Sequence, residues 1–488
     1  MNVKGAGSRK QLSDILAQAA QGVPLPKVLG PISIVFMGVG AIIGAGIFVL
    51  TGTAAALFAG PAVVVSFLLA GLTCVFVALC YAELAALMPV SGSTYTYTYV
   101  SLGQLAAWLV GWNLILEYSI GAAAVAVGWS GYFTGTLASI GIVIPPELSN
   151  STGQAVQLAD GTTATAIANL PAAAIVAFLT ILLVRGTRES ALVNNLMVTL
   201  KLIVILAFIG LGLGHISAAN WHPFVPPNAG TFGTFGWSGV LHGASVVFIT
   251  YIGFDAVSNC AQEARRPQRD MPLGILGALL IATILYVLVA GVLVGVVPYS
   301  ELNVAAPVGL AVDRMGIGWF AALVQLGAMI GITTAILVLL YGQGRIFATM
   351  ANDGLMPSLF SRVHPRLKTP WMSQILIGVI VAATAAMFPI EILSELVGGG
   401  TLFAFLMVCA SVVRLRRLEP HAARPFRAPA VPLVPMLGML SCLGLIVGLA
   451  PVTWARLLVW IAIGLVIYFA YGRSRASHKL EGGSQSRE

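Results

Sequence analysis

Between residues 60 and 86 the chain holds a single charged side chain, Glu83, in an otherwise apolar run. A run of that length either fills the centre of a large soluble core or crosses a bilayer, which takes about 20 mostly apolar residues in a helix. Composition decides between the two. Of 488 residues, 58% are apolar, aromatic or Cys and only 9% are charged, whereas a soluble domain carries about 25% charged residues. Too little charge remains to cover a water-facing surface, so the solvent is lipid.

Similar windows recur near 30–53, 60–86, 98–127, 168–185, 193–214 and 237–260, then near 273–297, 318–346, 371–389, 393–413, 431–449 and 452–471. The chain therefore reads as an all-α polytopic membrane protein with 12 transmembrane helices. The last two are divided only around Ala450. The first apolar run starts near Gly30, too late and too long for a signal peptide, so the chain is expected to be unprocessed. Ahead of it, Ser13, Asp14 and Ile15 mark the start of a short amphipathic helix.

The net charge of +8 has no basic amphipathic face or aromatic-basic sheet pattern to go with it, which excludes nucleic acid as the partner. It is a topology signal. With the N-terminus inside, 22 of the 25 Lys and Arg residues fall in cytoplasmic segments, from Lys4 and Lys10 to Arg475, Lys479 and Arg487. Arg314 and Arg456 fall outside, and Lys201 lies within a helix. One missing span would reverse the downstream loops and destroy the bias, so the count supports the number of helices as well as a plasma (inner) membrane protein with both termini cytoplasmic. The longest outside segment, 134–167, holds Glu147 and Asp160 and no Lys or Arg.

Two spans contain breaks. In the first, Gly38, Gly40, Gly44, Gly46 and Gly52 crowd around Ile42 to Phe48. Gly costs roughly 1 kcal/mol in a helix interior. These glycines either permit a close helix contact, since Gly40 and Gly44 have small-xxx-small spacing, or unwind the helix and free N–H groups for an anion. In the sixth span, Gly253 and Asp255 interrupt the apolar stretch, and the freed carbonyls suit an ammonium group. Breaks five spans apart run in opposite directions, the pattern of an inverted five-helix repeat with a site between its halves. The expected domains are a cytoplasmic segment 1–29, repeats 30–215 and 237–413, accessory helices 431–471 and a cytoplasmic tail 472–488.

Charged residues inside spans are few. Lys201, near the start of the fifth, either snorkels to the inner surface or is a desolvated lysine that cycles between charged and neutral forms as a proton-coupling site. Glu117, mid-helix in the third, is expected to be protonated or bonded to Tyr118 or a hydroxyl from another helix, either as a structural anchor or in a direct substrate role. Asp255 is placed either to cap the N–H groups of the sixth-span break or to act as a ligand there. Glu83 is placed to pair with cytoplasmic basic residues in an inner gate. The five cysteines form no CxxC pair and read as small buried hydrophobes. No His, Cys or Asp cluster has metal spacing, no GxxxxGK[ST] segment is present, and neither a cofactor nor an enzymatic activity is expected.

Several motifs occur in order: Gly44-Ala45-Gly46-Ile47-Phe48, Tyr81-Ala82-Glu83-Leu84 with Pro89, Ser91-Gly92-Ser93 and Tyr95, Glu117-Tyr118, and Tyr251-Ile252-Gly253-Phe254-Asp255. Glu263, Pro267, Arg269 and Pro272 follow the sixth span, and Arg345, Met350, Asp353-Gly354 and Pro357 follow the eighth. Over residues 25–470 the chain resembles the amino acid-polyamine-organocation permeases, especially the cationic amino acid transporter branch. The resemblance implies a LeuT-like fold with a 5+5 inverted repeat. It implies a substrate carboxylate on the N–H groups around Ile43, Gly44, Ala45, Gly46 and Ile47, and a substrate ammonium on carbonyls near Phe248, Ile249 and Ile252. It matches Lys201 to a fifth-helix lysine that takes the place of a sodium ion in proton-using relatives. Ile249-Thr250-Tyr251 departs from the aromatic-plus-small pattern usual there, which leaves the preferred side chain open.

The expected function is secondary active import of L-amino acids by alternating access, with a proton as coupling ion and membrane lipid as the surrounding partner. Exchange of amino acids or amines is the alternative, and a non-transporting membrane sensor is a weaker one.

Overall fold

The computed structural model describes residues 9–21, 27–158, 162–304, 306–447 and 451–473. Lys4, Asp160, Ala450, Arg475, Lys479 and Arg487 lie outside the described residues. The protein is a helical membrane bundle. Among the described residues, eight helical segments are long and apolar enough to cross a bilayer, and four shorter apolar helices, among them Pro31–Ile42, accompany them. Together they fall where the twelve apolar windows lie.

The first span is two helices, Pro31–Ile42 and Ala45–Ala54. Pro31 sits in the first turn, where its missing N–H has no partner to lose. The second span is Val63–Leu87, the fourth Leu170–Arg185, the fifth Thr187–Leu213, the seventh Pro267–Val296 and the eighth Gly318–Asn352. The ninth is Trp371–Met387, the tenth Ile390–Leu418, and the eleventh and twelfth Leu433–Val447 and Pro451–Ile467. The N-terminal helix is present as Leu12–Gln21, with Leu12 and Ile15 buried.

The third span departs from its predicted limits of 98–127. Ser93–Ser101 is a separate helix, cut off at Gly103, whose φ of 107° is open to Gly at little steric cost. The span proper begins at Gln104, passes through a π-turn at Leu116–Ile120 and runs on to Ser139. Beyond it the 134–167 segment folds a small hairpin, Ala155–Gln157 against Thr163–Thr165. A further short helix, Pro307–Arg314, lies between the seventh and eighth spans.

Packing sorts the bundle into two groups. The seventh span lies along the second and along Pro31–Ile42, and the start of the sixth lies on the second. The eighth packs along the third and fifth, and the ninth along the fourth. Pro31–Ile42 also touches the fifth and eighth, so the broken first span lies where the groups meet.

One end of the bundle carries the basic loops and a set of ion pairs. Glu83 accepts from Arg416 at 3.1 and 2.7 Å and from the Ala428 N–H at 2.8 Å, with Arg424 at 3.4 Å. Glu263 takes Arg345 and the Tyr341 hydroxyl, with all three buried. Lys10 pairs with Asp353, which also accepts from Tyr95 at 2.8 Å. Backbone bonds from Leu29 N to Glu263 O (3.0 Å) and Arg265 N to Leu29 O (2.9 Å) join the start of the first span to the end of the sixth.

Candidate functional site

Ile43 and Gly44 form the first break. The Ile43 N–H closes the first helix on Val39 O, and the chain then turns through Gly44 at φ −115°, ψ −141° into the second helix. The opening N–H groups of a helix have no intrahelical partner, so those of Ala45, Gly46 and Ile47 form a positively polarised end inside the bundle. The sixth span begins as Gly236–Phe248, tightens to a 3-10 turn at Ile249–Tyr251, extends at Ile252, and resumes as a 3-10 helix at Asp255–Glu263. Gly253, at φ 118°, makes the turn possible.

The two breaks touch. A Cβ on Gly253 would lie 3.0 Å from the Ala41 carbonyl carbon, and one on Gly46 would lie 2.6 Å from Thr250 Cβ. Tyr286, from the seventh span, ties them together. Its hydroxyl lies 2.7 Å from Ile42 O and 2.9 Å from Thr250 O. Nothing in the sequence singled Tyr286 out; a tyrosine in an otherwise apolar span was the available signal.

Lys201 is fully buried and does not snorkel. Its Nζ lies 2.7 Å from Ile43 O, 3.1 Å from Val39 O, 3.2 Å from Gly40 O and 2.9 Å from Thr334 Oγ1. The ammonium thus caps the carbonyl end of the first half-helix, where the macrodipole favours a cation. Thr334, in the eighth span, is a second residue that sequence reading missed.

A cavity of about 240 Å³ opens beside the breaks. Gly44, Gly46, Ile249 and Ile252 line it, together with Thr250. Apart from Glu117, its walls are mostly apolar, with Leu50, Val125, Leu339, Ile390 and Val397 among them, and Tyr132 adds a ring. Tyr132 and Ile390 lie near the ends of their helices away from the basic loops, so the cavity extends toward that far end.

Ile43, Ile47 and Phe248 are not among the lining residues. The Ile43 carbonyl is occupied by Lys201. Ile47 instead lines a separate small void shared with Val204 and Phe208 of the fifth span. The Phe248 ring turns away to meet Phe405 edge-on at 6.2 Å. Ala45 contributes the first turn of the second half-helix.

The carboxylates divide. Asp255 accepts the Gly253 N–H at 3.2 Å, which caps the break, and it also takes the Tyr118 hydroxyl. Glu117 lies beside Asp255 and the Thr401 hydroxyl of the tenth span. The π-turn carries it to the cavity wall, buried, with neither carboxyl oxygen hydrogen-bonded among the described residues. Glu83 is remote from the cavity, in the ion-pair cluster at the basic end. The glycines of the first span serve both readings: Gly40 packs on Asn194 and Val198, and Gly38 on Val257, while Gly44 forms the break.

The Amino acid permease family model matches residues 29–472, nearly the whole described chain. The chain belongs to the amino acid permease family. It is thus a member of the amino acid-polyamine-organocation superfamily, and a transporter rather than an enzyme. It is 44% identical over 476 residues to the branched-chain amino acid permease BcaP of Bacillus subtilis, covering 97% of this chain and 99% of that one. It is 43% identical over 468 residues to the methylthioribose transporter of the same organism, covering 96% and 98%. It is 41% identical over 409 residues to the chloroplastic cationic amino acid transporter 9 of Arabidopsis thaliana, covering 83% of this chain and 69% of that protein.

Proposed function

We propose that this permease imports L-amino acids with apolar side chains by proton-driven alternating access. The observation that carries the coupling is the Lys201 ammonium on the carbonyl end of the first half-helix. Charged Lys201 holds that helix end against the fifth and eighth spans. Neutral Lys201 has fewer donors and no charge for the helix dipole, so its deprotonation loosens the first half-helix. An ionisable residue buried at membrane depth is a functional group by default.

The substrate carboxylate sits on the N–H groups of Ala45 and Gly46, its ammonium faces the carbonyl end of the sixth half-helix, and its side chain fills the apolar cavity. The lining by Leu50, Val125, Leu339 and Val397 supports an aliphatic side chain, in keeping with the relative named for branched-chain amino acids. A cationic side chain is the second reading, because Glu117 supplies a carboxyl at the cavity wall.

The excess of Arg and Lys at the ion-paired end supports a cytoplasmic location for that end and for both termini, in the plasma membrane, with the cavity facing outward. Repeats 30–215 and 237–413 each contribute spans to both packed groups, the first and second with the sixth and seventh moving against the third to fifth with the eighth and ninth, and 431–471 is accessory. Exchange without net proton movement is the rival mode. Proteoliposome uptake separates them: an imposed inward proton gradient drives accumulation of an aliphatic amino acid under the symport reading and leaves it unchanged under exchange. A thermal-stabilisation screen of purified protein with L-amino acids, methylthioribose and polyamines tests the substrate.

A further inference from the structure

Seven residues before Lys201 on the same helix, Asn194 is fully buried, and neither its Oδ1 nor its Nδ2 has a hydrogen-bond partner among the described residues. Buried amides are nearly always satisfied, so two orphaned atoms on one side chain call for an explanation. The side chain faces the first half-helix: a methyl on Gly40 would lie 2.7 Å from Asn194 Oδ1 and 3.3 Å from a Val198 methyl. Asn195, next in the chain, donates to Ser33 Oγ at 3.0 Å and also leaves its buried Oδ1 without a partner. Along the fifth span, from the basic end inward, lie an Asn pair, then Val198, then Lys201.

We propose that Asn194 orders the water through which the Lys201 proton leaves for the cytoplasm. This rests on the proton-coupled reading of Lys201. In the conformation described, Val198 and Gly40 close the roughly 10 Å between the two side chains. When the first half-helix moves away from the fifth span, water enters between them. The ammonium N–H bond then breaks, the proton passes to a water molecule and on to the cytoplasm, and Nζ keeps the electron pair. Asn194 carries no proton itself; its amide supplies the polar partners that a buried water needs.

Other ionisable groups around this lane are already committed or lie at its edge. The first half-helix carries none. The seventh span brings Tyr286, bound to Ile42 and Thr250, and at its start Arg269 and Asp270, the latter accepting the Arg266 N–H. Tyr341 and Arg345 of the eighth are engaged with Glu263. Arg185 ends the fourth span.

The test compares the full-length protein with Asn194→Leu and Asn194→Ser in liposomes, measuring uptake driven by an imposed inward proton gradient and counterflow without a gradient. Counterflow by a carrier that stays protonated needs no proton release. Asn194→Leu is expected to cut gradient-driven uptake about tenfold, the scale of one lost ordering hydrogen bond, while counterflow and thermal stability stay near wild type. Asn194→Ser is expected to restore part of the driven uptake. Equal loss of both activities, or driven uptake unchanged in Asn194→Leu, overturns the route while leaving proton coupling intact. A wild-type protein indifferent to the gradient overturns both.

Discussion

The hydroxyl of Tyr286 lies 2.7 Å from the carbonyl oxygen of Ile42, the last residue of the first half-helix. The same hydroxyl lies 2.9 Å from Thr250 O, so one phenol links the two broken spans to the seventh. Tyr286→Phe removes the donor: Thr250 O loses this partner and Ile42 O keeps only the Gly44 N–H. A buried hydrogen bond lost this way costs about 1–3 kcal/mol. Substrate affinity, read as ligand-induced thermal stabilisation, is expected to fall about tenfold, and an unchanged affinity would show that the breaks hold their shape without it.

Lys201→Ala strips four acceptors of their cation. The expected result is protein that still folds but whose uptake no longer responds to an imposed pH difference. Measurement at several external pH values, with internal pH held constant, checks this; a mutant that keeps the wild-type profile would remove Lys201 from the mechanism.

Gly253→Ala places a methyl against the Ala41 backbone at a φ of 118°. Both effects act in the same direction, and strain in this region costs of the order of 1–3 kcal/mol. A lower unfolding temperature and loss of uptake are expected. A stability equal to wild type would mean that the second break is not locked against the first.

Glu263 and Arg345 are both buried, with the Arg345 guanidinium 3.3 Å above the Tyr341 ring centroid. Removing one partner of a buried pair costs about 3–5 kcal/mol because the other charge is left uncompensated. Arg345→Met alone should therefore destabilise strongly, and the double variant Glu263→Gln, Arg345→Met should recover much of the loss. Thermal unfolding of the four forms gives the coupling directly, and additivity would argue against an energetic pair.

Leu339→Trp fills cavity volume without adding charge. Aliphatic amino acids are expected to lose binding while Lys201 and the breaks stay in place. Retained leucine-type stabilisation in this variant would move the side-chain pocket elsewhere.

Much of this was legible in the chain itself. Apolar length and the sparsity of charge fixed a helical membrane bundle, because lipid leaves a spanning backbone no outside partner for its polar groups and helices satisfy them locally. Gly44 and Gly253 marked the breaks for the same local reason: Gly tolerates backbone turns that other residues resist. Glu83 and Lys201 stood out because charge at such depth is costly.

Partnerships between distant segments were not legible. Which carbonyls receive the Lys201 ammonium, that Tyr286 joins Ile42 to Thr250, and that Glu117 faces the cavity while Asp255 takes Tyr118 depend on how helices far apart in sequence are rotated against one another. A π-turn at Leu116–Ile120 shifts the helical phase of the third span, and periodicity in the sequence does not encode such a shift. The sequence determined which residues must be buried in lipid or in the bundle, since that follows from each side chain's own solvation. The tertiary structure decided which of them meet, since that follows from packing between surfaces that no single helix contains.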